Sequence, residues 1–294
     1  MKQPIELRRT RDFGEIINDT FTFLKENFKP LFTALLALCG FFVIAGTATT
    51  VLTQTNLMNM YTTKIDTNSY QAATPAISYF VSIMFNTVII VLGQLSIYLV
   101  TLCYISVYLE KKDGKPTLPE VWGFFKYYFF RILGSGVLIT ILFAMGIVLC
   151  VIPGIYIMTI MSLIFPIIVM ENTSFRYAFN KSFTLIKDNW WLVFGVIFII
   201  TLIVGILGSI ASVPMSIIVT ARLYLSLKGF TLPFIILFSL LQNLLTLAYA
   251  LSAIAITFCY FSLSEQKEAI GILGRINAFG KSTDGNNDLP AEQY

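Results

Sequence analysis

The chain has 294 residues, of which 56% are hydrophobic and only 12% charged, with a formal net charge of +4 and no histidine. Soluble domains carry about 25% charged residues, so this composition argues against an ordinary soluble fold. Without histidine there is no Ser-His-Asp or Cys-His nucleophile activation, no His-containing zinc or iron site and no His-ligated haem.

In chain order, Asp12 reads as a helix N-cap with Glu15 placed to return its hydrogen bond. Phe13, Ile16, Ile17, Phe21, Leu24 and Phe28 then share one helical face, with Asp12, Glu15, Asp19, Glu26 and Lys29 over much of the rest. This stripe is too short and too charged to cross a bilayer and predicts a helix lying in the interface. Asn27 and Pro30 predict a bend there, because proline pushes its predecessor out of the helical region. A span follows over 31–53, then a polar loop over 54–77, then a span over 78–109 that meets Glu110.

Thr117-Leu-Pro-Glu120 is a second capping box, with proline in the first turn. Trp122, Phe125, Phe129 and Ile132 form its apolar stripe, with Lys126 and Arg131 off it. Spans over 132–151 and 155–170 are predicted to be joined by a tight turn at Ile152-Pro153-Gly154. Pro166 predicts a kink in the second of them, and the segment closes on Glu171.

Asn172, Thr173 and Ser174 offer caps for a third amphipathic helix, whose stripe is Phe175, Ala178, Phe179, Ser182, Ile186 and Trp190. Trp190 and Trp191 fall where a span over 192–213 begins, and indoles favour the headgroup boundary. A short apolar helix is expected on the outer face at 215–229, then a last span over 231–264. The tail starts amphipathic (Ile270, Leu273, Ile276, Phe279), and residues 281–294 are expected to be a disordered cytoplasmic extension.

None of the six spans contains Asp, Glu, Lys or Arg, and most approach or exceed the ~20 residues needed to cross about 30 Å of hydrocarbon. They lack the alternation of barrel strands and are therefore predicted to be helices. Lys and Arg are distributed asymmetrically. Six precede residue 30, five lie in 110–131, three in 171–189 and three after 264, whereas the intervening segments hold only Lys64, Arg222 and Lys228. The positive-inside rule then puts both termini in the cytoplasm. Arg8, Arg9 and Arg11 flank a membrane entry and face anionic headgroups there, not nucleic acid. The first apolar run is too long for a cleaved signal sequence and is expected to stay as a span.

Part of the chain recurs. Phe13, Asn18, Phe21, Thr22, Lys25, Asn27 and Phe32 return as Phe175, Asn180, Phe183, Thr184, Lys187, Asn189 and Phe194. Cys103-Tyr-Ile-Ser106 returns as Cys259-Tyr-Phe-Ser262, each run leading to a carboxylate, Glu110 or Glu265. In that alignment Asn86 falls against Gln242. The pattern is interfacial helix, span, span, in units of about 12–110 and 174–265, with a diverged unit over 117–171. Both end units start on the same side, which makes them parallel repeats. The expected fold is thus all-α and integral to the membrane, a single polytopic domain over 1–280 with six transmembrane helices.

Chemistry at depth is sparse. Cys39, Cys103, Cys150 and Cys259 lie in apolar runs without a CxxC neighbour and read as buried small hydrophobes. Asn86, Gln94, Gln242 and Asn243 are the amides within spans, and such groups more often bond between helices than bind solute. The stronger candidates are interfacial: Lys25, Lys29, Lys126, Arg131, Lys181 and Lys187, beside Trp190 and Trp191, which would hold lipid headgroups or a partner.

Val151-Ile-Pro-Gly-Ile-Tyr156, Val169-Met-Glu-Asn172, Ala178-Phe-Asn-Lys-Ser182 and Lys187-Asp-Asn-Trp-Trp191 resemble the membrane domain fused to some bacterial glycerophosphodiester phosphodiesterases. They also resemble related stand-alone membrane proteins of Bacteroidota-type bacteria, to which Glu265-Gln-Lys-Glu268 with Gly271, Leu273 and Gly274 is similar. The resemblance covers about residues 5–275 and implies a polytopic protein of the bacterial inner membrane. It does not imply phosphodiesterase activity, which belongs to a fused domain that needs histidines and metal-binding acids. The expectation is a non-enzymatic membrane protein, without cofactor or metal, that organises lipid or a membrane-protein partner through its interfacial helices. The alternative is a carrier or channel for a neutral or amphiphilic solute lined by Asn86, Gln94 and Gln242.

Overall fold

The computed structural model describes residues 6–63, 73–111, 116–149, 151–225 and 231–268. All their regular structure is helical: α1 (Phe13–Thr63), α2 (Ala73–Glu110), α3 (Leu118–Leu149), α4 (Val151–Met161), α5 (Ile164–Glu171), α6 (Phe175–Ile186), α7 (Trp190–Leu225), α8 (Thr231–Leu245) and α9 (Tyr249–Glu268). Six helical stretches are long and apolar enough to cross a membrane, as in a multi-pass integral membrane protein. They are Phe13–Tyr61, Thr74–Glu110, Leu118–Gly146, Pro153–Glu171, Trp190–Ala221 and Leu232–Glu268.

The bundle is organised around α9. From Ala250 to Glu265 every residue of this helix except Ser252 is buried, whichever way it faces. A helix apolar or small on all sides belongs inside a bundle, and Ala250, Ala253 and Ala255 let neighbouring backbones come close. The half of α2 running from Ser96 to Val107 is nearly as enclosed. α1 lies along α2, α3 pairs with α4, and α7 pairs with α8. Several hydroxyls within the core are satisfied locally: Thr20, Ser96, Thr101 and Thr257 each donate to the carbonyl four residues earlier. In a medium without water this is the available way to bury them. Cys39, Cys103 and Cys259 are buried free thiols, as expected; Cys150 lies outside the described residues.

Several expected breaks are absent. α1 runs unbroken through Asn27 and Pro30. Pro30 can deny only the Glu26 carbonyl its helical partner. Asn27 meanwhile donates to the Phe23 carbonyl at 3.1 Å and accepts from the Tyr104 hydroxyl at 3.1 Å, which holds the turn in place. The polar loop expected over 54–77 is mostly helix, since α1 continues to Thr63 and α2 begins at Ala73; residues 64–72 lie outside the described set. The separate helix expected at 215–229 is the end of α7, which continues through Pro214 to Leu225. Pro153 and Gly154 do not make the turn between α3 and α4; they sit in the first turn of α4, where proline's missing N–H costs nothing. The tail over 281–294 is also beyond the described residues.

The expected kink at Pro166 is a real interruption. α4 ends at Met161 and α5 begins at Ile164, so the break falls at Ser162, whose carbonyl Pro166 cannot serve. α8 and α9 are likewise separated by a 3₁₀ turn at Thr246–Ala248, where the Thr246 hydroxyl donates to the Asn243 carbonyl at 2.6 Å.

The tightest helix contact involves α1 and α8. A Cβ placed on Gly46 would come within 2.3 Å of Asn243 Oδ1, and the Asn243 side chain is tied to the Ser239 carbonyl at 2.9 Å. Overpacking costs about 1–3 kcal/mol and outweighs the ~1 kcal/mol gained by removing a helical glycine. Gly46→Ala is therefore expected to destabilise the protein by about 1–2 kcal/mol, read as a lower melting temperature in detergent. Combining it with Asn243→Ala should restore most of that loss.

Candidate functional site

The charged residues gather at one end of the bundle, where the start of α1, the starts of α3 and α7, α6 and the end of α9 meet. The segment before α1 is anchored by Arg11, whose side chain has 0% exposure. Its guanidinium donates to Asp19 Oδ2 at 2.7 Å, to the Leu7 carbonyl at 2.8 Å and to the Glu6 carbonyl, and lies 4.7 Å from the centre of the Phe258 ring. Its backbone N–H donates to Ser262 Oγ at 2.9 Å, and Ser262 Oγ donates to the Arg11 carbonyl at 3.1 Å. Arg9 adds a second bond to Asp19 at 2.8 Å. Burial pulls Arg11 below its ordinary pKa, opposed by Asp19; the arginine stays charged because its ordinary value lies so far above neutrality. The expected capping box is present. Asp12 N–H donates to Glu15 Oε2 at 3.0 Å, and Glu15 N–H donates to Asp12 Oδ1 at 2.7 Å.

A second cluster joins α5, α6 and α9. Lys181 Nζ lies 2.8 Å from Glu171 and 2.7 Å from Glu268, and the Tyr260 hydroxyl donates to Glu171 at 2.5 Å. Burial acts to lower the Lys181 pKa, but Glu171 and Glu268 outweigh it and raise it. Lys267 donates to the Thr184 carbonyl at 2.6 Å and to Asp188 at 3.0 Å, and Asn189 donates to Gln266 at 3.0 Å. In a third group, Arg131 donates to Asn172 Oδ1 at 3.0 Å. Asn172 closes α5 in the left-handed conformation at φ 50°, a role asparagine tolerates. Lys126 lies 5.0 Å over the Trp122 ring.

The expected interfacial residues therefore divide in two. Lys181 and Arg131 are engaged inside the protein. Lys25, Lys29 and Lys187 are exposed and make no ion pair within the described residues. Trp190 stacks on Tyr156 and Phe194 with ring centres 5.6 Å and 4.9 Å away, so it packs between helices. Trp191 is 78% exposed, and Tyr177 and Phe183 of α6 are exposed as well. On α1 before Pro30 the exposed aromatics are Phe13, Phe21 and Phe28.

The amides within the spans are mostly committed to helix packing. Asn86 Oδ1 accepts from Thr49 at 2.8 Å and from Thr50 at 3.3 Å. Asn243 bonds within α8. Gln94 and Asn243 line a void of about 20 Å³, which suits one water molecule and no larger solute. Gln242 is half-buried on α8.

Comparison of the chain with family models, curated proteins and solved structures finds no match. The site is therefore read from its own geometry. Arg11, expected to face anionic headgroups, is instead enclosed against Asp19 because its guanidinium is satisfied within the protein; Asp19, Asn27, Tyr104, Tyr260 and Lys267 were not singled out from sequence as site residues. The recurring Cys-Tyr pairs were the available signal, since Tyr104 and Tyr260 both send their hydroxyls to the charged end.

Removing one partner of a buried pair costs more than removing the pair. Asp19→Ala strips Arg11 of its carboxylate and is expected to destabilise the protein by about 3 kcal/mol, measured by thermal or denaturant unfolding in detergent. Lys111→Ala, which breaks an equally short but largely exposed pair with Glu120 at 2.8 Å, should leave the melting temperature almost unchanged.

Proposed function

We propose that this chain is a non-enzymatic, multi-pass protein of a bacterial cytoplasmic membrane that gathers anionic lipid on cytoplasmic interfacial helices. The observation that carries this reading is the division among its cations. Arg11, Lys181 and Lys267 are matched by carboxylates, whereas Lys25, Lys29 and Lys187 are exposed without an ion pair among the described residues. Each unpaired lysine has exposed aromatic rings on its own or the next helix, Phe21 and Phe28 on α1, Phe183 on α6 and Trp191 at the start of α7. A cation beside a ring that favours the interfacial layer is suited to a phosphate headgroup and the glycerol region beneath it. Lys126 extends the basic rim on α3, beside the Trp122 ring.

In this reading the fold consists of repeated units, each an amphipathic entry segment followed by two spans, with both termini cytoplasmic; in α1 and α3 the entry segment is continuous with the first span, and in the last unit it is the separate helix α6. The recurrence of the Phe13–Phe32 pattern at Phe175–Phe194 and the skew of Lys and Arg toward one side support it. The resemblance to the membrane domain associated with glycerophosphodiester phosphodiesterases belongs to the same proposal. A membrane-protein partner seated on the same rim would use the same lysines.

The test is retention of lipid. The protein is purified in a mild detergent, exchanged with phosphatidylglycerol or phosphatidylcholine and examined by native mass spectrometry. Phosphatidylglycerol should be kept selectively, and Lys25→Gln, Lys29→Gln and Lys187→Gln together should weaken retention by roughly tenfold or more. Lys181→Gln should lower stability without changing lipid preference, because its charge is already balanced. Equal retention of the two lipids, or an unchanged preference in the triple variant, would remove the basis of the reading. For topology, alkaline phosphatase fused after Asn68 is expected to be active, and fused after Asp113 inactive.

A further inference from the structure

A cavity of about 450 Å³ lies among α3, α4, α7 and α9, with α2 behind it. Ser162, in the break between the end of α4 at Met161 and the start of α5 at Ile164, is among its lining residues. Its inner wall includes buried Met161, Ile200, Ala255 and Ile256, and it reaches the surface of the bundle beside exposed Ile155 and Met158. No charged residue lines it. Small-molecule sites fall within about 300–1,000 Å³, are mostly apolar with a few placed polar groups, and occur between bundle helices.

One lining residue carries a polar group that is both buried and uncommitted. Tyr98 of α2 borders the cavity, its ring set edge-on to Phe165 at 5.6 Å, and its hydroxyl is buried without a hydrogen-bond partner among the described residues. Of the other lining hydroxyls, those of Thr140, Thr159 and Ser162 donate to helix carbonyls at 2.8, 3.0 and 2.7 Å, while Thr201 and Tyr249 are exposed and Ser252 is half-buried. A buried hydroxyl with no partner is costly, and an acceptor brought by a ligand removes that cost.

Depth narrows the ligand. Tyr98 precedes Glu110 by twelve residues, about 18 Å along the helix at 1.5 Å per residue. With Glu110 in the headgroup layer, that leaves Tyr98 about 10 Å or more inside the hydrocarbon. The ester carbonyls of a phospholipid stay at the edge of that region, so they do not reach Tyr98. A charged molecule would have no counter-charge there.

We propose that this cavity binds an uncharged, bilayer-soluble small molecule through its apolar body, with a carbonyl-type acceptor taking the hydrogen bond of Tyr98. The site is separate from the basic rim, and its occupant is not a headgroup.

Benzophenone, an uncharged diaryl ketone that labels neighbouring C–H bonds when irradiated, is a direct probe. The full chain in phosphatidylcholine nanodiscs would be titrated with it, irradiated and mapped by peptide mass spectrometry. Saturable labelling is expected at cavity residues such as Met158, Met161 and Phe165. Tyr98→Phe should raise the half-saturating concentration about tenfold, while leaving the melting temperature of the protein without probe equal or higher, since it deletes an unpartnered hydroxyl. Ser252→Phe, which fills the cavity from α9, should abolish saturable labelling in a folded protein. The proposal is overturned by labelling that never saturates, by equal affinity in wild type and Tyr98→Phe, or by wild-type labelling in Ser252→Phe. It is also overturned, in favour of a lipid chain, if native mass spectrometry finds a phospholipid that wild type keeps and Ser252→Phe loses.

Discussion

The structure depends on a helix that has no outside. α9 is buried on every face over more than four turns, from Ala250 to Glu265, interrupted only at Ser252. In a membrane the hydrophobic effect does not drive helices together, because lipid is as apolar as leucine. What holds α9 in place must be close packing and polar contacts at its charged end. Its alanines supply the first. Ser262 supplies part of the second by clasping the backbone of Arg11 from both sides, and Tyr260, Gln266, Lys267 and Glu268 add bonds to Glu171, α6 and the turn after α6. Residues far apart in the chain are joined through this one helix end.

That arrangement explains why so little charge is left unbalanced inside. Arg11 is fully enclosed, and its guanidinium has five donors. Asp19 takes one contact, carbonyls of Leu7, Arg9 and Glu6 take others, and the Phe258 ring covers a face. Lys181 is treated in the same way, between two carboxylates. A buried ion pair of this kind adds little net stability over an apolar substitute, yet losing half of it is severe. Its effect here is positional: it fixes where the segment before α1 and helix α6 sit against α9.

The crossings were legible in the sequence because a run without Asp, Glu, Lys or Arg is a strong statement in a chain that has to meet lipid. Helix ends were harder to read. Breaks were expected at Asn27 and Pro30, in the polar run that begins at residue 54, and between the span ending at 213 and the helix starting at 215, but α1 and α7 continue through them. Proline removes one backbone bond and does not by itself end a packed helix, and polar side chains are tolerated on a helix once it leaves the hydrocarbon. At Pro166 the same chemistry did interrupt the helix, so the outcome turns on surroundings that one local motif does not contain. Candidate site residues were legible as types and not as partners. Nothing near Lys181 in sequence distinguishes it from Lys25, since the difference is made by Glu268 on another helix.

The distribution of exposed apolar surface follows from the same constraint. Phe130, Phe198, Ile206 and Ile217 are each more than half exposed, and on a soluble protein such a surface would mark an interface or an aggregation site. Here α3 and α7 form the rim of the bundle, with 22% of their most apolar windows buried, against 56% for α2. Their outer faces meet the solvent for which they were composed. The informative surfaces are consequently the polar ones that packing leaves uncommitted. At the charged end these are lysines on amphipathic helices. Within the spans they include the Tyr98 hydroxyl, placed beside the break between α4 and α5. A site for a headgroup and a site for an uncharged molecule can coexist, because they draw on different residues at different depths.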